Sequence, residues 1–149
     1  MIGKVHLPPP LQEKMKSAPI ALLEDSIATR AERIYQEYIE FQWLEYEAHF
    51  AGRAAEEFSR YLIEAVDAIR KRLGNTAHSE VRGSVLAALK HQEQSGSLEG
   101  HREWITLLLA DYYDPMYNYQ LEKKSNRVKV IGSRDVVTDW LLKHAESFS

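Results

Sequence analysis

The side chains best suited to chemistry cluster in one stretch, Tyr112-Tyr113-Asp114-Pro115-Met116-Tyr117-Asn118-Tyr119-Gln120-Leu121-Glu122-Lys123-Lys124, which holds four of the eight tyrosines of the chain. Flat aromatic faces beside cations suit a single-stranded nucleic acid, whose bases stack on the rings while its phosphates meet the cations. Lys123, Lys124, Arg127 and Lys129 supply those cations. Proline lacks a backbone N–H and disfavours helical dihedrals in the preceding residue. Asp114-Pro115 is therefore expected to stop a helix, bend the chain sharply and project Tyr113, Met116, Tyr117 and Tyr119 together. The structural alternative is a packed corner whose hydroxyls bond to nearby backbone.

Two further groups of cations call for a reason. Arg30 and Arg33 fall early in a helix, where positive charge opposes the macrodipole; a phosphate ligand is one reason for them, and a salt bridge to Glu24 or Asp25 is the other. Arg70, Lys71 and Arg72 precede Gly74, and helix termination accounts for them, with phosphate contact an additional use. Several chemistries are not supported. No Gly-x-x-x-x-Gly-Lys-Ser/Thr run is present, and the seven glycines form no Gly-x-Gly-x-x-Gly fingerprint. The six histidines, His6, His49, His78, His91, His101 and His144, show no metal-ligand spacing. Ser97 and His101 lie four apart, but no orienting acid or oxyanion hole accompanies them. Glu45 and Glu47 fall on different helix faces. No catalytic residue and no metal site is assigned.

The elements that position these groups follow from periodicity. Leu11 to Ser17 reads as a short helix, and the apolar run Pro19 to Glu24 as a buried strand leading into a helix capped by Asp25 or Ser26. That helix runs from about Ile27 to Phe50, with Ala31, Ile34, Tyr35, Tyr38, Ile39 and Trp43 on one face. A second, from about Ala54 to Leu73, carries Phe58, Tyr61, Leu62, Ala65, Val66, Ile69 and Leu73 at helical spacing. A third spans roughly Ser79 to Gln94, with Val81, Val85, Leu86 and Leu89 inward, and a fourth about His101 to Tyr112. Arg127 to Ile131 alternates like a strand, and Ser133 caps a last helix with Val136, Val137, Trp140 and Leu141 on one face. Two strands are too few for a stable parallel sheet, so the strand near residue 20 reads as part of a larger one.

With 149 residues, 44% hydrophobic and 28% charged, the chain has the bulk for one globular domain. The formal charge of −3 gives no global pull toward nucleic acid, so any such contact is local. The absence of cysteine removes disulfides, thiolate metal sites and cysteine nucleophiles. No apolar run approaches the roughly 18 residues of a membrane span, and a cytoplasmic location with no membrane partner is expected.

The run Tyr112 to Lys124, with Gly96-Ser97 and the His101 to Trp104 segment before it, closely resembles the C-terminal region of the bacterial tRNA 2-selenouridine synthase family. Ile2-Gly3 with Leu7-Pro8, Met15 to Glu24, Arg30 and Arg33, and Ala68 to Gly74 look like the same family in the same order. The resemblance implies a parent that joins a rhodanese-like domain with a catalytic cysteine to a P-loop kinase-like domain and a helical C-terminal region. It implies a transferase acting on wobble 2-thiouridine of tRNA, with geranyl diphosphate alkylating the sulfur and selenophosphate-derived selenium replacing the geranylthio group. This chain has neither the cysteine nor the Walker A loop, so whether it is itself an enzyme is left open.

The expected fold is mainly α with two short strands, the helical C-terminal portion of a P-loop kinase-like α/β domain with about five helices. A single domain or fragment over 1–149 is expected: 1–30 holds a late strand and the start of a helix, 31–112 is helical, and 113–149 holds the Tyr-rich corner, a strand and the final helix. The expected role is a fragment of the transferase, inactive alone, that contributes tRNA and substrate binding; its partners are the tRNA anticodon region and the rhodanese/P-loop portion. The resemblance assigns diphosphate or selenophosphate contact to Arg30 and Arg33. It assigns tRNA or geranyl contact to Tyr112, Tyr113, Asp114, Tyr117, Tyr119, Gln120, Lys123 and Lys124, and by charge Arg127, Arg70 and Arg72 join them. No tightly bound cofactor is expected. The alternative is a helical interaction module that docks on a separate P-loop or rhodanese chain.

Overall fold

A computed structural model describes residues 7–144; Ile2-Gly3 and His6 lie outside the described residues. The elements in chain order are α1 (Pro9–Ser17), β1 (Ile20–Leu23), α2 (Ile27–Tyr35), a π turn (Gln36–Glu40), α3 (Phe41–Phe50), a 3-10 turn (Ala51–Arg53), α4 (Ala54–Ala68), α5 (Arg70–Leu73), α6 (Asn75–Ser95), α7 (His101–Leu108), a second π turn (Leu109–Tyr113), α8 (Asp114–Glu122), a 3-10 turn (Ser125–Arg127), β2 (Val128–Gly132) and α9 (Arg134–His144). The mainly α fold with two short strands is as the periodicity predicts. The chain divides into two compact units, one spanning 26–119 and the other formed by the described residues of 1–25 and 120–149.

The helical unit is built around a contiguous core. Ala31, Tyr35 and Ile39 from the first helical stretch meet Phe58, Leu62 and Val66 of α4, Val81, Val85 and Ala88 of α6, and Trp104, Ile105, Leu108, Leu109 and Tyr112. Ser26 caps α2, its hydroxyl accepting from the Thr29 N–H at 3.1 Å, as its position before the apolar run implies. α6 begins four residues earlier than Ser79. Gly74, at φ 80°, ends α5 and opens α6, a conformation that residues with a Cβ disfavour. Gly96, at φ 72°, closes α6 in the left-handed conformation, with its N–H on the Gln92 carbonyl at 2.8 Å. Leu86, expected inward, is exposed; His78 and Gln92 occupy the buried face with Val81, Val85 and Ala88.

The expected sharp turn at Asp114-Pro115 does not occur. The chain stays helical from His101 to Glu122, through the π turn that ends with the Asp114 N–H on the Leu109 carbonyl. The π turn adds a residue to the ladder, and Pro115 then falls in the first turn of α8, where its missing N–H and fixed φ are tolerated.

The second unit is a parallel pair of strands with helices beside it. The register pairs Ile20 with Val128, Ala21 with Val130, Leu22 with Ile131 and Leu23 with Gly132, with an irregularity between Ile20 and Ala21. α9 packs on both strands. Arg127 fixes the end of α1: Nε donates to the Ala18 carbonyl at 2.9 Å, while the two terminal nitrogens reach Lys16 O and Met15 O, each at 2.7 Å. None of the described residues of this unit is fully buried, and Val136 and Leu141, expected on the inward face of α9, are half exposed.

Candidate functional site

The helical unit gathers several of the residues singled out by sequence on one side of the α2–α7 packing. Arg30, in the first turn of α2, forks onto the carboxylate of Asp114, the first residue of α8, with bonds of 2.6 and 2.8 Å. Both side chains are about three-quarters buried, at 30% and 26% exposure, and the guanidinium holds the Asp114 carboxyl below its ordinary range. Eighty-four residues separate the partners, so this bond fixes the start of α8 against α2.

Around that bond the tyrosines sort by depth. Tyr112 is buried in the core, and its hydroxyl raises the pKa of the exposed Arg72 guanidinium. Tyr113 meets Tyr112 edge-on at 4.9 Å between centroids and stacks with Tyr117, one turn on, at 6.3 Å and 20°. Burial raises the Tyr113 hydroxyl pKa, and the neighbouring Tyr112, Tyr117 and Tyr38 hydroxyls add to the effect. Tyr117 and Tyr119 are exposed, at 49% and 58%. The cluster therefore has a buried root, Tyr112, a half-buried middle, Tyr113 with Met116, and an exposed ring, Tyr117, which leaves an aromatic surface to solvent. The first π turn carries Tyr38 and the second carries Tyr112 and Tyr113; such turns recur at functional sites because the extra residue re-aims side chains.

The other candidates are placed elsewhere. Arg33 is exposed in the last turn of α2. Arg70 reaches Asn75 Oδ1 at 3.4 Å across the α5–α6 junction. Gln120, Lys123, Lys124 and Arg127 belong to the sheet unit; the first three are exposed there, and Arg127 is the clamp on α1. Sequence reasoning did not single out an open polar groove of about 690 Å³ between α4 and α6, lined by Asp67, Arg70, Asn75, His78, Ser79 and Arg82. In it Asp67 accepts from His78 Nε2 at 2.7 Å and from Arg82 Nε at 3.2 Å, and the His78 bond foremost lowers its pKa. The spacing of Asn75, His78, Ser79 and Arg82 on one face of a helix was the available signal.

His101 is a structural residue. It is fully buried; Trp104 Nε1 donates to its Nδ1 at 2.9 Å, and its Nε2 faces Gln92 Oε1 at 3.1 Å. Because the indole can only donate, Nδ1 must accept, which places the imidazole proton on Nε2 facing the Gln92 oxygen. Burial lowers its pKa to about 4, so the ring is neutral at pH 7. Among the described residues no group of three or more His, Cys, Asp or Glu side chains could hold a metal ion, and no helix is long and apolar enough to cross a membrane.

The family model described as "tRNA 2-selenouridine synthase AAA domain" matches residues 1–148. The chain is 42% identical over 141 residues to the tRNA 2-selenouridine synthase of Marinobacter nauticus, covering 94% of this chain and 38% of that protein. It is 42% identical over 141 residues to that of Salmonella typhi (94% and 39%) and 41% identical over 144 residues to that of Aeromonas salmonicida (94% and 38%). No solved structure matches. The chain spans about two fifths of the length of these relatives, and it belongs to the tRNA 2-selenouridine synthase AAA-domain family.

Proposed function

We propose that this chain supplies part of the tRNA- and substrate-binding surface of a wobble-uridine modifying transferase, converting 2-thiouridine through its geranylated form to 2-selenouridine, and that it is inactive on its own. The observation that carries this reading is the Arg30–Asp114 fork, which ties two residues of the family-like segments together and roots the Tyr112-Tyr113-Tyr117 cluster beside them. A base stacks on the exposed Tyr117 ring, or a prenyl chain lies along the Tyr113, Met116 and Tyr117 faces, while the buried Tyr112 stiffens the platform from below. The printed names of the relatives supply the tRNA and the selenium chemistry, and a P-loop-type sheet and a cytoplasmic setting for this chain belong to the same proposal.

The test is fluorescence anisotropy with an anticodon stem-loop bearing wobble 2-thiouridine, across a salt series. Saturable binding that weakens with salt, and weakens further by roughly tenfold in Tyr117→Ala through loss of one stacked base, is the expected result. A folded sample that binds no stem-loop at low salt, or that binds equally well after Tyr117→Ala and Lys123→Ala/Lys124→Ala, refutes it. A second reading, a module that docks on another polypeptide carrying P-loop or rhodanese parts, is favoured by the two-stranded sheet with no fully buried residue among those described.

A further inference from the structure

We infer that the sheet unit carries a nucleotide pocket at the amino ends of its two strands, where the Trp140 and His144 rings receive a base and Lys129 and Arg127 receive the phosphate attached to it. The inference goes beyond the reading above: the pocket lies in the other compact unit and uses none of the aromatic cluster around Tyr117.

A cavity of about 370 Å³ opens where β1 and β2 begin, with Ser17, Asn126, Arg127, Lys129, Trp140 and His144 in its wall. That volume falls within the roughly 300–1,000 Å³ of small-ligand sites. Ser17 and Asn126 precede the strands, and α9 packs back along both of them, which brings its last turns to the same end. Ligands of parallel α/β sheets ordinarily sit beyond the carboxyl ends of the strands, so this pocket occupies the opposite end.

The lining carries two cations, Arg127 and Lys129, and no carboxylate. The groove between α4 and α6 differs on this point, because Asp67 lines it and repels an anion. Arg127 is held in place by carbonyls of Ala18, Lys16 and Met15, neutral groups that fix the fork without cancelling its charge. A guanidinium has five N–H donors, and these bonds use three. Lys129 stands exposed in β2. Trp140 and His144, one turn apart on α9, stack at 4.6 Å between centroids and 22° between planes. His144 Nδ1 donates to the Trp140 carbonyl at 2.8 Å, which holds the ring and assigns any ligand contact to Nε2. Stacked rings beside cations bind a base and its phosphate at once. The Ser17 hydroxyl and the Asn126 amide both donate and accept, as reading a base edge requires. An apolar chain would leave both cations without a counter-charge, and inorganic phosphate would leave the rings unused. The ligand that uses the whole lining is a nucleotide, free or as one unit of a single RNA strand.

The experiment is an NMR titration of the whole isotope-labelled chain with AMP, adenosine, ribose phosphate and hexa-adenylate. The chain carries Tyr117→Ala, so that the exposed ring of the helical unit takes no part. AMP should shift the Trp140 indole N–H and the amides of Asn126, Arg127 and Lys129 in a saturable way. Adenosine and ribose phosphate should each bind roughly tenfold more weakly or worse, since each fills half of the lining. Lys129→Gln should weaken AMP roughly tenfold and leave adenosine unaltered. Trp140→Leu should weaken AMP and adenosine roughly tenfold and leave ribose phosphate unaltered. Lys129→Gln changes an exposed side chain, so it gives an answer even where Trp140→Leu loosens α9. Hexa-adenylate that binds more than roughly tenfold tighter than AMP, with a steep salt dependence, makes an RNA strand the source of the nucleotide; equal affinity makes it a free nucleotide. The inference is overturned by three results: no shift at these residues with AMP or hexa-adenylate at about 10 mM, equal affinity for AMP and ribose phosphate, or AMP binding untouched by Lys129→Gln. Stem-loop binding at Tyr117 is measured on the unsubstituted chain, so either reading can fail without the other.

Discussion

Lowering the pH from 8 to 4.5 should destabilise the helical unit mainly through His101. The imidazole is fully buried and neutral, held between the Trp104 indole and the Gln92 amide, with its pKa lowered from 6.5 to about 4 by desolvation. A histidine whose folded pKa is depressed contributes stability that is complete above the unfolded value. That stability is lost as pH falls from 6.5 toward 4, because the unfolded chain takes up the proton first. For these two values the linkage relation gives a loss of about 2.5 kcal/mol by pH 4.5, a large share of a small unit's stability. The carboxylates with lowered pKa values, Asp67, Glu99 and Asp114, begin to lose their contributions only as pH reaches their unfolded values, 3.8 for the aspartates and 4.5 for Glu99, so the window belongs mainly to His101. Urea unfolding followed by far-UV circular dichroism at half-unit pH steps measures the slope. His101→Gln keeps a side chain that can accept from Trp104 and cannot titrate; it should be less stable at pH 7 and nearly flat from pH 6.5 to 4.5. A variant that retains the wild-type slope would refute the assignment of the proton deficit to this ring.

Three further outcomes follow from the geometry. In a double-mutant cycle of Arg30→Lys and Asp114→Asn, the fork should show a coupling of about 1–2 kcal/mol, because lysine keeps the charge and loses the second bond; urea midpoints at pH 7 measure it, and the coupling should fade only in strong acid, once Asp114 protonates below the ordinary carboxylate range. Gly96→Ala should cost about 1 kcal/mol of helical-unit stability through its positive φ, read as a lowered Tm. Arg127→Ala should release the last turn of α1, seen as faster amide exchange at Ala18, whose N–H bonds to Lys14 O, with the exchange rates of α4 and α6 unaltered.

Local signals carried most of the fold. Ser26 before an apolar period marked the start of α2, and Phe58, Leu62 and Val66 kept the α4 face in register because each fell one turn from the last. The Asp114-Pro115 pair misled because proline's effect depends on its place in the hydrogen-bond ladder. A π turn is recorded only in the register of those bonds, and no residue type announces it. The same gap hid the site's organising contact: Arg30 and Asp114 each drew attention for local reasons, but their pairing is set by how α2 packs on α7. His101 was screened as half of a Ser97–His101 pair, while its partners, Gln92 and Trp104, were set by burial across two helices.

The two units also differ in what they can do unaided, and this shapes how function is to be sought. The helical unit closes its own core over Tyr35, Ile39, Phe58, Val81, Val85, Ile105 and His101, all nearly inaccessible, so its aromatic cluster stands on a scaffold that holds itself. The sheet unit leaves Leu23, Ile131, Val136, Leu141 and Leu142 partly in water, and among the described residues its strands pair only along their inner edges. Apolar surface in that arrangement is stabilised when further strands cover it, whereas the aromatic cluster gains nothing in order from such cover. Substitutions at Tyr117 should therefore change nucleic-acid affinity at constant stability. Substitutions at Leu23 should change association with the rest of the family's polypeptide and leave the affinity of the helical unit for a stem-loop unaltered.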